Sequence, residues 1–480
     1  MTDLGSLGRT SSWAGVRAVV IGIGVSGFAA ADNLMHLGAH VTVLAESARP
    51  AQQEKATLLE ILGAEVRIGA GASQTLPDDV HLVVTSPGVP PTAPVLVAAY
   101  SRGLPVWGEV ELAWRLRDPR HPGRWLCVTG TNGKTTTVQM LDAILSADGA
   151  RSIACGNVGL PLVEAVMDPE PYAVYAVELS SFQLHYTHTM AAESAAVLNV
   201  AEDHLDWYPS SEDYALDKAR IYERVRNACV YNVADPTTER LVRDADVEEG
   251  ARAIGFTLGV PGVGMVGLVD DVLADRAFID ERGSSAAELC TLSDLASPAP
   301  HFVANALAAA ALARSYGVAA TSVRDGLRAF VPDGHRIAEV ALVDDVRWVD
   351  DSKATNPHAA KSSLQAYDPV VWVAGGLAKG ASFDDLVIAV RGRLRGVVLL
   401  GQDRGVIADA LSRHAPDVRV IEVEDGDTSV MDRVVDAAVD LARPGDTVLL
   451  APGCASMDMF ANYGARGDAF AESVLRLRDR

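Results

Sequence analysis

Short apolar runs alternate along the chain with longer stretches whose apolar residues recur at helical spacing, and most of the runs end in glycine, serine or a charged side chain. Residues 17–21, 41–44, 66–68 and 81–85 read as strands buried on both faces, and the first leads into a helix reaching Leu37. Residues 124–128, 172–179 and 195–200 form a second group, with helices over 134–145 and 211–225. A third group, 346–349, 370–374, 397–400 and 447–450, runs to the end of the chain. Alternation of strand and helix predicts parallel α/β sheets. Residues 244–299 carry little periodicity and are expected to be peripheral. Two polar, proline-bearing breaks, 117–123 and Val331-Pro332-Asp333-Gly334, divide the chain into expected domains at 1–118, 119–331 and 332–480.

A chain of 480 residues is too long for one core and suits about three domains. The formal charge of −22 argues against nucleic acid or an anionic membrane as a partner. Five scattered cysteines without a C-x-x-C pair read as buried thiols of a reducing compartment. The N-terminal residues lack an apolar signal core, and the most apolar helical segment, 302–313, is too short to cross a bilayer. A cytoplasmic protein is expected.

Chemistry concentrates at 126–138. A buried strand turns through Thr129-Gly130-Thr131-Asn132-Gly133 into a helix starting at Lys134. Backbone N–H groups at such a helix start converge on one point, the helix dipole favours an anion there, and Lys134 adds a full charge. Thr135 supplies a hydroxyl for a phosphate-bound Mg²⁺. This predicts a phosphate-binding loop for a nucleoside triphosphate, with two residues instead of the usual four between the glycines. Glu178, near the end of a neighbouring strand, is placed to hold Mg²⁺.

The first strand leads into Gly22-Ile23-Gly24-Val25-Ser26-Gly27, a G-x-G-x-x-G turn that physically offers a diphosphate site. Glu46 follows the second strand at about the distance of a ribose-binding acid, and Ser86-Pro87-Gly88 makes a rigid turn at another strand's carboxyl end. On spacing alone, Glu202-Asp203-His204-Leu205-Asp206 is either a solvated loop or a metal and substrate edge. Lys218 is not distinguishable by pattern from a surface lysine. His301 and Asn305 share a helix face, either as polar ends or as nucleotide contacts. Arg336 lies at the second hinge. In the third region, Lys353, Lys379 and Ser456 all follow strand ends, and two lysines with hydroxyls suit a small dicarboxylate. The expected architecture is a Rossmann-like N-terminal domain, a central P-loop ATPase-like α/β domain and a C-terminal Rossmann-like domain.

Gly130-Thr131-Asn132-Gly133-Lys134-Thr135 resembles the ATP loop of the Mur ligases and folylpolyglutamate synthases, which make amide bonds with ATP. Gly156-Asn157-Val158-Gly159-Leu160-Pro161, the run Glu178 to Gln183 and the acidic run 202–206 resemble the Mur branch over the whole chain. Asp351-Ser352-Lys353-Ala354-Thr355-Asn356 and Cys454-Ala455-Ser456 are similar to members that add D-glutamate. The resemblance implies ATP-dependent addition of D-glutamate to UDP-N-acetylmuramoyl-L-alanine through an acyl phosphate, in peptidoglycan precursor synthesis, by a cytoplasmic monomer whose domains close to exclude water. Gly130, Thr131, Asn132, Gly133, Lys134, Thr135 and Thr136 would hold ATP, with Asn305, Arg336 and Asp351 on its far side. Thr135, Glu178, His204 and Lys218, the last as a carbamate, would hold two Mg²⁺ ions, and imidazole at His204 suits substitution by Mn²⁺.

By the same resemblance, Lys134, Glu178, His204, Lys218 and Arg336 form the catalytic set. Val25, Ser26, Ser86, Pro87 and Gly88 would bind the UDP moiety, Asn157, Gln183 and His204 the muramoyl part. Lys353, Thr355, Lys379, Ser456 and Tyr463 would receive D-glutamate. Ala45 stands where relatives often have Asp, and Gly334 where they often have Pro before the histidine. Two other classes fit parts of the chain. An NAD-dependent oxidoreductase would leave the second glycine loop without work, and a nucleotide-driven switch or transport ATPase would not need the basic edge of the third domain.

Overall fold

The structure, a computed structural model, describes residues 4–204, 207–424 and 430–478. Leu205 and Asp206 of the acidic run lie outside the described residues. Among these residues the strands form three sheets. The first contains β1 (Arg17–Ile21), β2 (His40–Ala45), β3 (Glu65–Ile68), β4 (Leu82–Thr85) and β5 (Val106–Gly108), all parallel, in the order β3-β2-β1-β4-β5. Strand order reverses between β1 and β4, which opens a crevice at their carboxyl ends.

The second sheet contains β6 (Arg124–Thr129), β7 (Ser152–Gly156), β8 (Val174–Glu178), β9 (Ser194–Val197), β10 (Ala228–Asn232), β11 (Arg252–Phe256), β12 (Met265–Val269), β13 (Val272–Asp275) and β14 (Ala287–Thr291). Its order is β14-β13-β12-β11-β10-β9-β6-β8-β7, so β6 sits between β9 and β8. The segment expected to be peripheral, 244–299, supplies four strands at one end of this sheet, the last two pairings antiparallel. Each is only four or five residues long and set off by turns, too short for a period to register. The helix expected over 211–225 stops at Ala219 and continues as a 3₁₀ turn, Arg220–Tyr222. Tyr222 is fully buried there, its hydroxyl accepting from Val197 N–H and donating to the Val230 carbonyl, which draws the chain into the sheet.

The third sheet contains β15 (Ala338–Val343), β16 (Val346–Asp350), β17 (Val370–Gly375), β18 (Leu394–Leu400), β19 (Arg419–Glu422) and β20 (Thr447–Leu450), ordered β15-β16-β20-β17-β18-β19. Only β15 runs antiparallel, so the carboxyl ends of β16, β20 and β17 lie side by side on one edge.

The first two sheets belong to one compact unit and the third to a second, residues 331–480, with which 201–204 and 299–301 group. One apolar core runs through the first unit, from Trp13 and Val20 to Trp125 and Val177. Trp114 meets Trp125 edge to face at 5.0 Å within it. No helix among the described residues is long and apolar enough to cross a membrane.

Candidate active site

β6 delivers the chain into the phosphate loop, and Gly133 begins the helix Lys134–Ala147 in the left-handed region, φ 85°. A side chain there would be strained, and its Cβ would overlap Asn305 Oδ1. Asn305, on the helix Pro300–Tyr316, is buried against the loop. Loop shape is set by β9's continuation: Asn199 accepts from Thr131 N–H (3.0 Å) through its carbonyl and from Asn132 N–H (2.9 Å) through its side chain. Its amide also donates to the Asn132 carbonyl at 3.1 Å. This is why the strand expected to reach residue 200 ends at Val197. Lys134 Nζ donates to the carbonyls of Gly130 (2.9 Å) and Thr131 (3.0 Å). Thr135 and Thr136 are buried in the first turn of the helix.

Lys218 is the residue whose placement the pattern could not predict. It is 1% exposed, its Nζ donates to the Gly130 carbonyl at 3.1 Å and lies 4.3 Å from the centre of the Tyr214 ring. Tyr214 in turn meets Thr131, hydroxyl to hydroxyl, at 3.2 Å.

Glu178 closes β8 beside the loop and is buried. Its Oε1 accepts from Asn157 Nδ2 at 2.8 Å, while Oε2 is buried without a hydrogen-bond partner. A buried carboxylate oxygen lacking a donor is a costly arrangement unless a cation completes it, so the residues present fit Mg²⁺ at this position. Gln183 is the third residue of the helix Ser181–His185, its Oε1 accepting from Ser180 N–H and Oγ–H in a capping box.

In the first sheet, the helix Val25–His36 starts at the crevice between β1 and β4. A Cβ on Gly27 would overlap the Gly22 carbonyl oxygen, so only glycine allows this approach of helix to strand. Ser86 Oγ is buried in the crevice without a partner, Val25 is exposed at the helix start, and Ser26 and Pro87 are half-buried beside exposed Gly88. Glu46, which follows β2, is engaged within the chain. Its carboxylate accepts from the Ser73 hydroxyl, Gly71 N–H (2.7 Å) and Ser73 N–H (3.0 Å), bonds that hold it below the usual carboxylate range and pin the 69–73 turn.

The second unit gathers the residues expected to receive an amino acid. Leu377 and Ala455 exchange backbone hydrogen bonds (2.8 and 3.0 Å), joining the turn that carries Lys379 to the turn that carries Ser456. Lys353 Nζ lies 3.9 Å from the centre of the Tyr463 ring. Thr355 lies in the loop after β16, half-buried, and Lys379 is exposed with φ 50°. One buried side chain ties these turns together: Arg466 donates to Ser352 Oγ (2.9 Å), the Ser352 carbonyl (2.9 Å) and the Cys454 carbonyl (3.1 Å). Burial lowers its guanidinium to about 10. Asp351 is buried against the Ser363 hydroxyl, and burial raises it to about 6 despite the nearby charge of Arg336. His335 holds Asp350 at 2.6 Å, and His204 stands with φ 57° beside the Asp203 carboxylate, 3.7 Å away. His301 is lowered by burial to about 4.

Family models cover three stretches: one described as Mur ligase MurD-like, N-terminal domain, matches residues 16–108. One described as Mur ligase middle domain matches 128–313, and one described as Mur ligase, glutamate ligase domain, matches 335–454. The chain is 58% identical to "UDP-N-acetylmuramoylalanine--D-glutamate ligase" of Streptomyces coelicolor over 97% of this chain and 99% of that one. It is 59% identical to the protein of the same name from Streptomyces avermitilis, over 97% and 99%. The chain belongs to the Mur ligase family. Among solved structures, MurF ligase from Thermotoga maritima in complex with ADP superposes with a TM-score of 0.55 at 17% identity, covering 99% of this chain and 100% of that one, a likeness of fold.

Within this Mur ligase, the three-domain α/β architecture read from the sequence is the architecture found. Three residues that sequence reasoning passed over organise the site: Asn199, Tyr214 and Arg466. Asn199 stands two residues past the end of β9, inside the run 195–200 that reads as strand. Tyr214 and Arg466 sit on ordinary helices, and nothing in their local pattern marks them.

Proposed function

We propose that this chain joins D-glutamate to UDP-N-acetylmuramoyl-L-alanine with hydrolysis of ATP to ADP and phosphate, in the cytoplasm and as a monomer. The observation that carries this is the extent of the match to ligases of that name, 58% identity over 97% of the chain, which includes the third-sheet edge where an amino acid would bind. The diphosphate crevice of the first sheet is the place for the UDP moiety, through Val25, Ser26, Ser86, Pro87 and Gly88. Asn157 and Gln183 face the muramoyl part from the second sheet.

Lys134 and the N–H groups of Gly130 to Thr136 hold the ATP phosphates. Thr135, Glu178, His204 and a carbamate on Lys218 would hold two Mg²⁺ ions, for which Mn²⁺ would substitute; that metal would neutralise charge on the phosphates. As an amine Lys218 is a donor, and only its carbamate offers metal-binding oxygens. Asn305, Arg336 and Asp351 bind the nucleotide from the other side. The alanyl carboxylate attacks the γ-phosphorus in line and displaces ADP, giving an acyl phosphate. The amine of D-glutamate, its carboxylates held by Lys353, Thr355, Lys379 and Ser456 beside Tyr463, attacks the acyl carbon. The tetrahedral adduct loses phosphate and a proton to leave the amide. Catalysis is mainly positioning, which can supply about 7–11 kcal/mol, together with charge stabilisation.

The test is ADP release measured with UDP-N-acetylmuramoyl-L-alanine across a panel of amino acids. Release that depends on both the UDP-sugar and D-glutamate is expected. Equal release without amino acid, or preference for another one, overturns the assignment.

A further inference from the structure

Glu109 is the first residue after β5, so the first sheet carries it, yet its carboxylate serves the second. It is 2% exposed, and Oε1 accepts from Val163 N–H at 2.6 Å. Oε2 is buried without a hydrogen-bond partner. Val163 lies in the first turn of the helix Leu162–Met167, which begins directly after the turn 157–161. At the other end of that turn, Asn157 is held through both its backbone and its side chain by Glu178. Two buried carboxylates from two different sheets thus grip the two ends of one turn.

We propose that Glu109 is a positioning residue for the UDP-sugar: it anchors the far end of the 157–161 turn to the first sheet, so that Asn157 and the UDP crevice stand at a set distance from each other. This rests on the reading of Asn157 as a muramoyl contact. An ionised carboxylate accepts more strongly from Val163 N–H than a neutral acid does. Burial raises Glu109 to about 7, so the anchor strengthens as pH rises through neutrality. The ionisable groups on the elements packed against its helix are Glu164 on Leu162–Met167, Asp32 and His36 on Val25–His36 and His185 on Ser181–His185, with Cys155 on β7 within electrostatic reach. On its own helix Glu111 is paired with Arg115 at 2.7 Å.

The experiment compares wild type with Glu109→Gln by steady-state kinetics in each substrate between about pH 6 and pH 8. In Glu109→Gln the KM for UDP-N-acetylmuramoyl-L-alanine should rise about tenfold, the loss of one charge-assisted bond. The KM values for ATP and D-glutamate should stay within about twofold. In wild type the UDP-sugar KM should fall as pH rises through about 7, and in the variant it should be flat. Equal rises in all three KM values, an unchanged UDP-sugar KM, or parallel pH profiles overturn the proposal. Should the glutamine variant not fold, Glu109→Asp keeps the charge on a shorter arm and must show the same selective rise with the pH dependence retained. Failure of wild type itself to turn over the UDP-sugar would sink the functional assignment first, and is distinguishable because no variant is needed to see it.

Discussion

Lys134 and Lys218, 84 residues apart in sequence by their numbers, place their amines on the same oxygen, the carbonyl of Gly130, at 2.9 and 3.1 Å. A phosphate held at the loop would meet the Lys134 cation there, with buried Lys218 on the same carbonyl.

Lys134→Ala should fold normally, since the side chain lies at a loop and is only partly buried, and should lose about 10²–10³ in kcat. Circular dichroism checks the fold and ADP release the rate. A folded variant with near-normal kcat would take the loop out of the mechanism.

Lys218→Ala should be nearly inactive and partly rescued by a short carboxylic acid that fills the gap and binds Mg²⁺. The cavity is there to be filled, because the lysine is 1% exposed. Activity that is lost and shows no response across acetate and propionate would argue for a lysine acting only as an amine.

Selectivity should follow the second carboxylate of the amino acid. D-Glutamine and D-alanine should be poor acceptors in kcat/KM, because Lys353, Thr355, Lys379 and Ser456 would lose the carboxylate they pair with. L-Glutamate should fail as well, since inverting the centre moves the amine or a carboxylate off its partner. Lys379→Ala should raise the KM for D-glutamate far more than that for ATP. Comparable turnover of D-glutamate and D-alanine would put the amino-acid site elsewhere.

Arg466→Lys should raise the KM for D-glutamate and lower thermal stability together. One ammonium cannot reach Ser352 Oγ, the Ser352 carbonyl and the Cys454 carbonyl at once. Each buried acceptor left without a donor costs about 1–3 kcal/mol. Melting temperature and KM are the two readouts, and a shift in neither would leave the guanidinium without a role in the edge.

Asp351 gives a pH dependence of definite sign. Its folded value is raised to about 6 from an ordinary 3.8, with burial as the main cause. The folded state therefore prefers the protonated form. Stability from this group is fully present below about pH 4, is lost as pH rises towards 6, and is level above that. A tenfold change in acid strength on folding corresponds to about 1.4 kcal/mol. Asp351→Asn should melt higher than wild type at about pH 8 and no higher at about pH 4, while its KM for ATP rises. A stability difference independent of pH would contradict the burial argument.

Much of the architecture was legible in the chain because it is local. Apolar runs followed by Gly22-Ile23-Gly24 or Gly130-Thr131-Asn132-Gly133 dictate strand, turn and helix start within a dozen residues. The convergence of N–H groups at such a helix start follows from backbone geometry alone. Residues 252–291 were missed because four strands of four or five residues carry too few positions for a period, and only pairing with β11's neighbours makes them strands.

The sequence alone was enough for three α/β sheets and for the glycine turns that follow β1 and β6. The tertiary structure alone decided which polar side chains are withdrawn from water. Lys218 is not distinguishable by pattern from a surface lysine, and its burial against Gly130 comes only from the packing of β6 and that helix. Glu46 shows no sign in the sequence of internal partners, yet its carboxylate accepts from Gly71 and Ser73. Arg466 has no local signature, yet it joins the ends of β16 and β20 from a helix more than a hundred residues after the first of them. A period reports which face of an element is apolar. Which donor and acceptor are buried together depends on contacts between elements far apart in the chain, and no local pattern carries that information.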